Sequence, residues 1–119
     1  MYAAGNFGQT LFMLLYVFVV LLLVHGCIHL VGFAKGFNGR VIPLLTDNIS
    51  KRAGVLWFIS SMLFFVSSIF VLLNIRLWWL PVLVAILFSE SLIIGNWRNA
   101  RPGSFINLLI LLLMLLLLR

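Results

Sequence analysis

His25 and His29, the two histidines of the 119-residue chain, lie four residues apart in the stretch HGCIHLVGF. On a helix that spacing puts both rings on one face, one turn apart. Three chemistries use such a pair. Two imidazoles at i and i+4 can chelate a metal ion when a third ligand joins them. A histidine beside an acid in apolar surroundings can relay protons. Imidazoles also serve as axial ligands of haem iron. Haem is excluded within a single chain, because its two axial ligands must approach from opposite faces of the macrocycle. Glu90, the one acid within an apolar run, would have to supply the third metal ligand or the partner of an imidazolium. No further strong ligand set exists, and the single Cys27 excludes an internal disulfide and a multi-cysteine site. The expectation is therefore no metal and no cofactor, with His25, His29 and Glu90 as the one set of side chains with the chemistry to hold a metal. The chain has no nucleotide-binding motif, no nucleophile–base pair and no room for a soluble catalytic domain, which points away from an enzyme.

The elements that position these residues are apolar. Hydrophobic residues make up 65% of the chain, charged residues 8%, and mean hydropathy is +1.27. Soluble domains average about 25% charged residues, and a small fold buries only about 60–70% of its surface. Lipid is then the expected solvent. The net charge of +6 reads as orientation and attraction to anionic lipid rather than nucleic-acid binding. Four apolar runs predict an all-α bundle of four transmembrane helices in one domain, with spans over about 11–33, 54–73, 78–95 and 104–118 and an interfacial loop over 34–53. Each must be helical, since open backbone in hydrocarbon leaves polar groups unpaired. The last run is short and needs Pro102 to Ser104 as its first turn, with proline well suited to a helix start. The segment before residue 11 lacks Lys and Arg and precedes too long an apolar run for a cleavable signal peptide.

Basic residues set the topology. Lys35, Arg40, Lys51 and Arg52 flank the first connection and Arg98 and Arg101 the third, against only Arg76 and Arg119 on the other side. Positive-inside places the first group in the cytoplasm and both termini outside. Trp57 and Trp97, with Trp78 and Trp79, sit near span ends as interfacial anchors. Asp47 or Ser50 is the expected N-cap of the second span.

Depth along each span, at about 1.5 Å per residue, then reveals a common level. His29 and His25 fall about 9 and 15 Å from Lys35, Ser60 about 12 Å from Arg52, Glu90 about 12 Å from Arg98, and Asn107 about 9 Å from Arg101. A polar layer of His25, His29, Ser60, Glu90 and Asn107 is expected inside the bundle, because ionisable groups avoid hydrocarbon. Ala53, Ser60, Ser67 and Asn74 recur every seven residues, with Ser61 and Ser68 beside them. That small-residue stripe is expected to pack on the histidine face of the first span, where His25, His29, Gly32 and Gly36 lie together.

Four segments, HGCIHLVGFAKGFN, ISKRAGVLW, LWW and SESLIIGNWRNARPGSFIN, resemble an uncharacterised group of small four-helix bacterial membrane proteins, common in Bacteroidetes and loosely DoxX-like. The resemblance runs from about His25 to Leu113. His25, His29, Lys35, Ser50, Lys51, Trp57, Trp97 and Asn107 fit its pattern. Glu90 departs from it, where glutamine is usual, and WRNARPG departs from W-x-D-A-K-x-G. The resemblance implies fold and a bacterial inner-membrane location but no activity. HGCIHL is also faintly similar to the His-Leu segment of succinate dehydrogenase membrane anchors. A small multidrug exporter is disfavoured, since those carry an acid in the first span. The leading expectation is an accessory or structural subunit of a larger membrane complex, respiratory or energy-converting, bound to lipids and other subunits. The alternative is an autonomous bundle whose polar layer serves protons, a quinone or a small ligand.

Overall fold

The computed structural model describes residues 2–38 and 48–119, with side-chain surroundings given for 5–37 and 48–119. Among the described residues the chain is all-α, with no strand. Four long helices are α1 (Tyr2–Asn38), α2 (Lys51–Leu72), α3 (Trp79–Gly95) and α5 (Pro102–Leu117), and a single turn, α4 (Trp97–Ala100), joins α3 to α5. Helices among the described residues thus number five rather than four. α1 begins nine residues before the expected span and continues through Lys35 to Asn38, so that lysine sits on a helix and not in a loop. Its 37 residues account for the 58 Å long axis of the molecule. Stretches of α1 (Gly5–Phe37) and α2 (Lys51–Leu72) are long and apolar enough to cross a membrane, while α3 and α5 are apolar but shorter.

Local signals explain the helix ends. Ser50 is extended (φ −67°, ψ 159°), and its Oγ accepts from the Ala53 N–H at 3.2 Å, which caps α2. Asp47, the other expected cap, lies outside the described residues. Ser50→Ala should destabilise α2 by about 1 kcal/mol. Detergent unfolding curves of the two proteins check this, and coincident midpoints would show that the cap contributes nothing. At the other end, Asn74 takes φ 52°, a left-handed conformation that asparagine tolerates. Its N–H reaches the Val71 carbonyl and the Ile75 N–H reaches Phe70, each at 3.0 Å, a Schellman closure. Asn74 therefore ends the helix and is exposed, so it does not extend the packing stripe of Ser60 and Ser67. Pro102 opens α5, where the missing N–H has no helical partner to lose.

The long helices form a ring in chain order: α1 on α2, α2 on α3, α3 on α5, and α5 back on α1. The α1–α2 pair is the most extensive, and glycines set its register. A Cβ on Gly36 would lie 2.9 Å from Gly54 Cα, one on Gly32 2.5 Å from the Trp57 ring, and one on Gly26 2.8 Å from Phe65. This antiparallel register brings the α2–α3 turn level with the stretch before Phe18, whose ring meets Trp78 edge-on at 5.7 Å. One end of the ring interior is apolar, filled by Phe18, Leu22, Phe64, Val82, Ile110 and Met114 among others. The other end is polar.

Gly32 also decides the fate of Trp57. Expected at an interface, Trp57 is instead buried, at 4% exposure, because its indole fills the space that Gly32 leaves empty. Lys35 likewise is buried, at 9% exposure, rather than spread on a lipid surface. Lys51, Arg52, Trp97, Arg98 and Arg101 are exposed, as interfacial residues would be, and Arg40 lies outside the described residues.

Candidate functional site

His25 and His29 face the centre of the ring, each about 1% exposed. They are met across the diagonal by Ser89 of α3 and from the side by Asn107 of α5. His29 Nδ1 lies 2.9 Å from the His25 carbonyl oxygen, which only accepts, so Nδ1 carries the proton. His29 Nε2 then accepts from the Ser89 hydroxyl at 2.9 Å. Asn107 Nδ2 donates to Ser89 Oγ at 3.0 Å and to Glu90 Oε2 at 2.8 Å. That orientation turns Asn107 Oδ1 towards His25, whose Nε2–H donates to it at 2.9 Å and lies 3.4 Å from Ser89 Oγ. Ser104 Oγ donates to Glu90 Oε1 at 2.6 Å. One connected network thus links α1, α3 and α5.

α2 contributes rings instead of polar groups. Phe64 stands edge-on to His25 at 4.8 Å, Trp57 lies 5.0 Å from His29, and the two imidazoles pack T-shaped at 4.6 Å. Ser60 sits on this wall between Trp57 and Phe64. It is fully buried at the expected level, but its Oγ makes no hydrogen bond, so it shares the layer without joining the network. Ser67 and Ser68 are buried too, and turn their hydroxyls back to the Leu63 and Phe65 carbonyls. The stripe therefore works through small size and not through bonds between helices.

The structure brings together His25, His29, Glu90 and Asn107 as the sequence suggested, with one change of partner. Glu90 bonds Ser104 and Asn107, and no imidazole. Asn107 stands between acid and histidine, because its amide can donate to one and accept from the other. The same arrangement separates the metal-ligand set His25, His29 and Glu90. Both nitrogens of His29 are committed, and among the described residues no three His, Cys, Asp or Glu side chains converge. Cys27 faces outward, away from the network.

Two members escaped the sequence reading. Ser89, the hub, touches both histidines and Asn107, and Ser104 holds the acid. Serine is common in apolar helices and carries little signal alone. The available cue was its place one residue before Glu90, on the α3 face shared with Val82, Ala85, Ile86 and Ile93, all buried.

Beside the network lies a cavity of about 300 Å³. Its walls include His25, His29, Trp57, Ile93, Gly103 and Ile106. Two of these hold buried polar atoms with no hydrogen-bond partner, His25 Nδ1 and Trp57 Nε1.

Fold and site together define a helical bundle with a buried histidine–serine–asparagine network that extends to the half-buried Glu90, and an adjoining, mostly apolar cavity. No protein-family model, curated protein or solved structure matches the chain.

Proposed function

We propose that this chain is a four-span integral protein of a bacterial inner membrane, with both termini periplasmic, and that it serves as a non-enzymatic accessory subunit of a larger membrane complex of the respiratory or energy-converting kind. Two helices of spanning length support the membrane reading. At 17 and 16 residues, α3 and α5 rise about 26 and 24 Å, somewhat less than a hydrocarbon core of about 30 Å, a mismatch that local thinning or a covering neighbour absorbs. The weight of basic residues around the α1–α2 and α3–α5 connections supports the orientation. The resemblance to small bacterial four-helix membrane proteins supports the location.

The observation that carries the subunit reading is the overhang of α1. Residues Gly5–Met13 are all exposed and rise about 13 Å beyond the level of the α2–α3 turn. Phe7, Phe12 and Met13 are each more than 60% exposed there. A short helical end with two glycines is marginal in isolation, so a neighbouring chain is the cover it calls for. Purification from the native membrane in mild detergent, followed by mass spectrometry, should show a second chain in stoichiometric amount. Phe7→Ser with Phe12→Ser should release that chain and leave the bundle folded. A lone, homogeneous species from native membrane overturns the reading.

A second reading is favoured by a separate observation, the cavity against the histidines. It makes the polar layer a site for a proton, a quinone or another small ligand.

A further inference from the structure

The cavity's chemistry selects its occupant, and the inference rests on the second reading above. His25 donates at Nε2 to Asn107, so a neutral His25 ring presents a bare lone pair at Nδ1. Trp57 Nε1 can only donate, and it too is buried without a partner. One wall residue therefore lacks a donor and another lacks an acceptor. Leaving such atoms unmatched is costly, and a ligand that matches them recovers that loss. The other lining residues are apolar apart from His29, whose two ring nitrogens are engaged, and Asn99, and among the described residues no Lys, Arg, Asp or Glu lines the space. A charged ligand would be desolvated there without a counter-ion.

Size sets the next limit. A dry cavity of about 150 Å³ accommodates benzene, so about 300 Å³ holds an aromatic ring with a short alkyl chain. Ile28, 46% exposed, forms part of the wall, so the space reaches the outer surface of α1. We propose that this cavity binds an uncharged apolar molecule bearing a hydroxyl group, a phenol or an alcohol, which donates to His25 Nδ1 and accepts from Trp57 Nε1. A hydroxyl is the smallest group that does both.

The chain's two histidines make the test direct, since ¹⁵N-histidine labelling gives only four ring-nitrogen signals. The full chain in detergent micelles is titrated with 4-butylphenol and, separately, with butylbenzene. 4-Butylphenol should shift the His25 Nδ1 signal, leave the two engaged His29 nitrogens nearly fixed, and bind about tenfold tighter than butylbenzene, the combined value of two modest net hydrogen bonds. Equal binding of both with no His25 shift overturns the hydroxyl preference and leaves the ligand reading standing. Binding of neither overturns the ligand reading as well. Gly103→Leu extends a side chain into the cavity, past Ile93 Cδ1, with His25 Cε1 3.6 Å from its Cβ. It should abolish 4-butylphenol binding, and Gly103→Ala should weaken it. Unchanged binding in the alanine variant, or in a folded leucine variant, overturns the location. 4-Dodecylphenol, if it binds at least as well as 4-butylphenol, assigns the natural ligand to the lipid phase, and if its tail is refused, to a compact free molecule.

Discussion

Asn107→Ala is expected to destabilise the folded chain by about 2–4 kcal/mol, more than any other single polar change in the bundle. The side chain bonds His25, Ser89 and Glu90, on two other helices. Hydrogen bonds between membrane helices average only about 0.6 kcal/mol in double-mutant cycles, which alone would give about 2 kcal/mol for three. The larger end of the range arises because truncation leaves the buried His25 Nε2–H with only the long 3.4 Å approach to Ser89 Oγ and takes a donor from the half-buried Glu90 carboxylate. Asn107 also fixes the rotation of α5. Apart from Ser104 and Asn107, that helix is a nearly uniform run of leucine and isoleucine that offers several equivalent faces. Unfolding of the detergent-solubilised protein in a denaturing-detergent titration measures the loss. Ser89→Ala should cost less, and the double variant should fall short of the sum, because the two residues share a bond. A loss under about 0.5 kcal/mol for Asn107→Ala, or strict additivity, would show that the network contributes little.

Gly36→Leu is expected to prevent the α1–α2 pair from forming in its present register. Gly36 approaches backbone, not side chain. A Cβ there would meet Gly54 Cα at 2.9 Å and the Ser50 carbonyl oxygen at 3.1 Å, and that oxygen already accepts from the Gly54 N–H at 2.8 Å. None of these atoms moves without displacing the start of α2. Gly36→Ala should cost about 1–3 kcal/mol as an overpacking change. Gly54→Ala should cost less, since its Cβ would meet Gly36 Cα at 3.2 Å and otherwise only the Phe37 ring. Gly8→Ala, with nothing within 4 Å, should leave the bundle unharmed and favour helix at the overhang by up to about 1 kcal/mol. The same unfolding titration ranks the four variants. If Gly36→Ala is as benign as Gly8→Ala, the close glycine crossing does not hold the pair together.

Helical class, the approximate positions of the four long helices and the level of the polar residues were legible in the sequence. They follow from local properties: apolar run length, a proline at a helix start, a serine before a helix, and a fixed rise per residue. That regularity brought His25, His29, Glu90 and Asn107 to one height before any packing was considered. Height along a helix is a one-dimensional property, and partner choice is not. Which side chain meets which depends on rotation about each axis, and that is set by close packing. Gly32 admits Trp57 to the interior, which moves a tryptophan expected at an interface onto the face of His29. The ring order of the helices sets α3 diagonally opposite α1, which makes Ser89, one residue from the conspicuous Glu90, the group that faces both histidines. Asn107 then separates the acid from the imidazoles, because an amide between them satisfies both. The sequence by itself determined an apolar helical chain with its polar residues in register. Only the tertiary structure decided that those residues are joined through Ser89 and Asn107 and that a cavity stands beside them. Hydrophobic pattern and helix rise act locally, whereas hydrogen-bond pairing and empty space exist only once four surfaces have closed on one another.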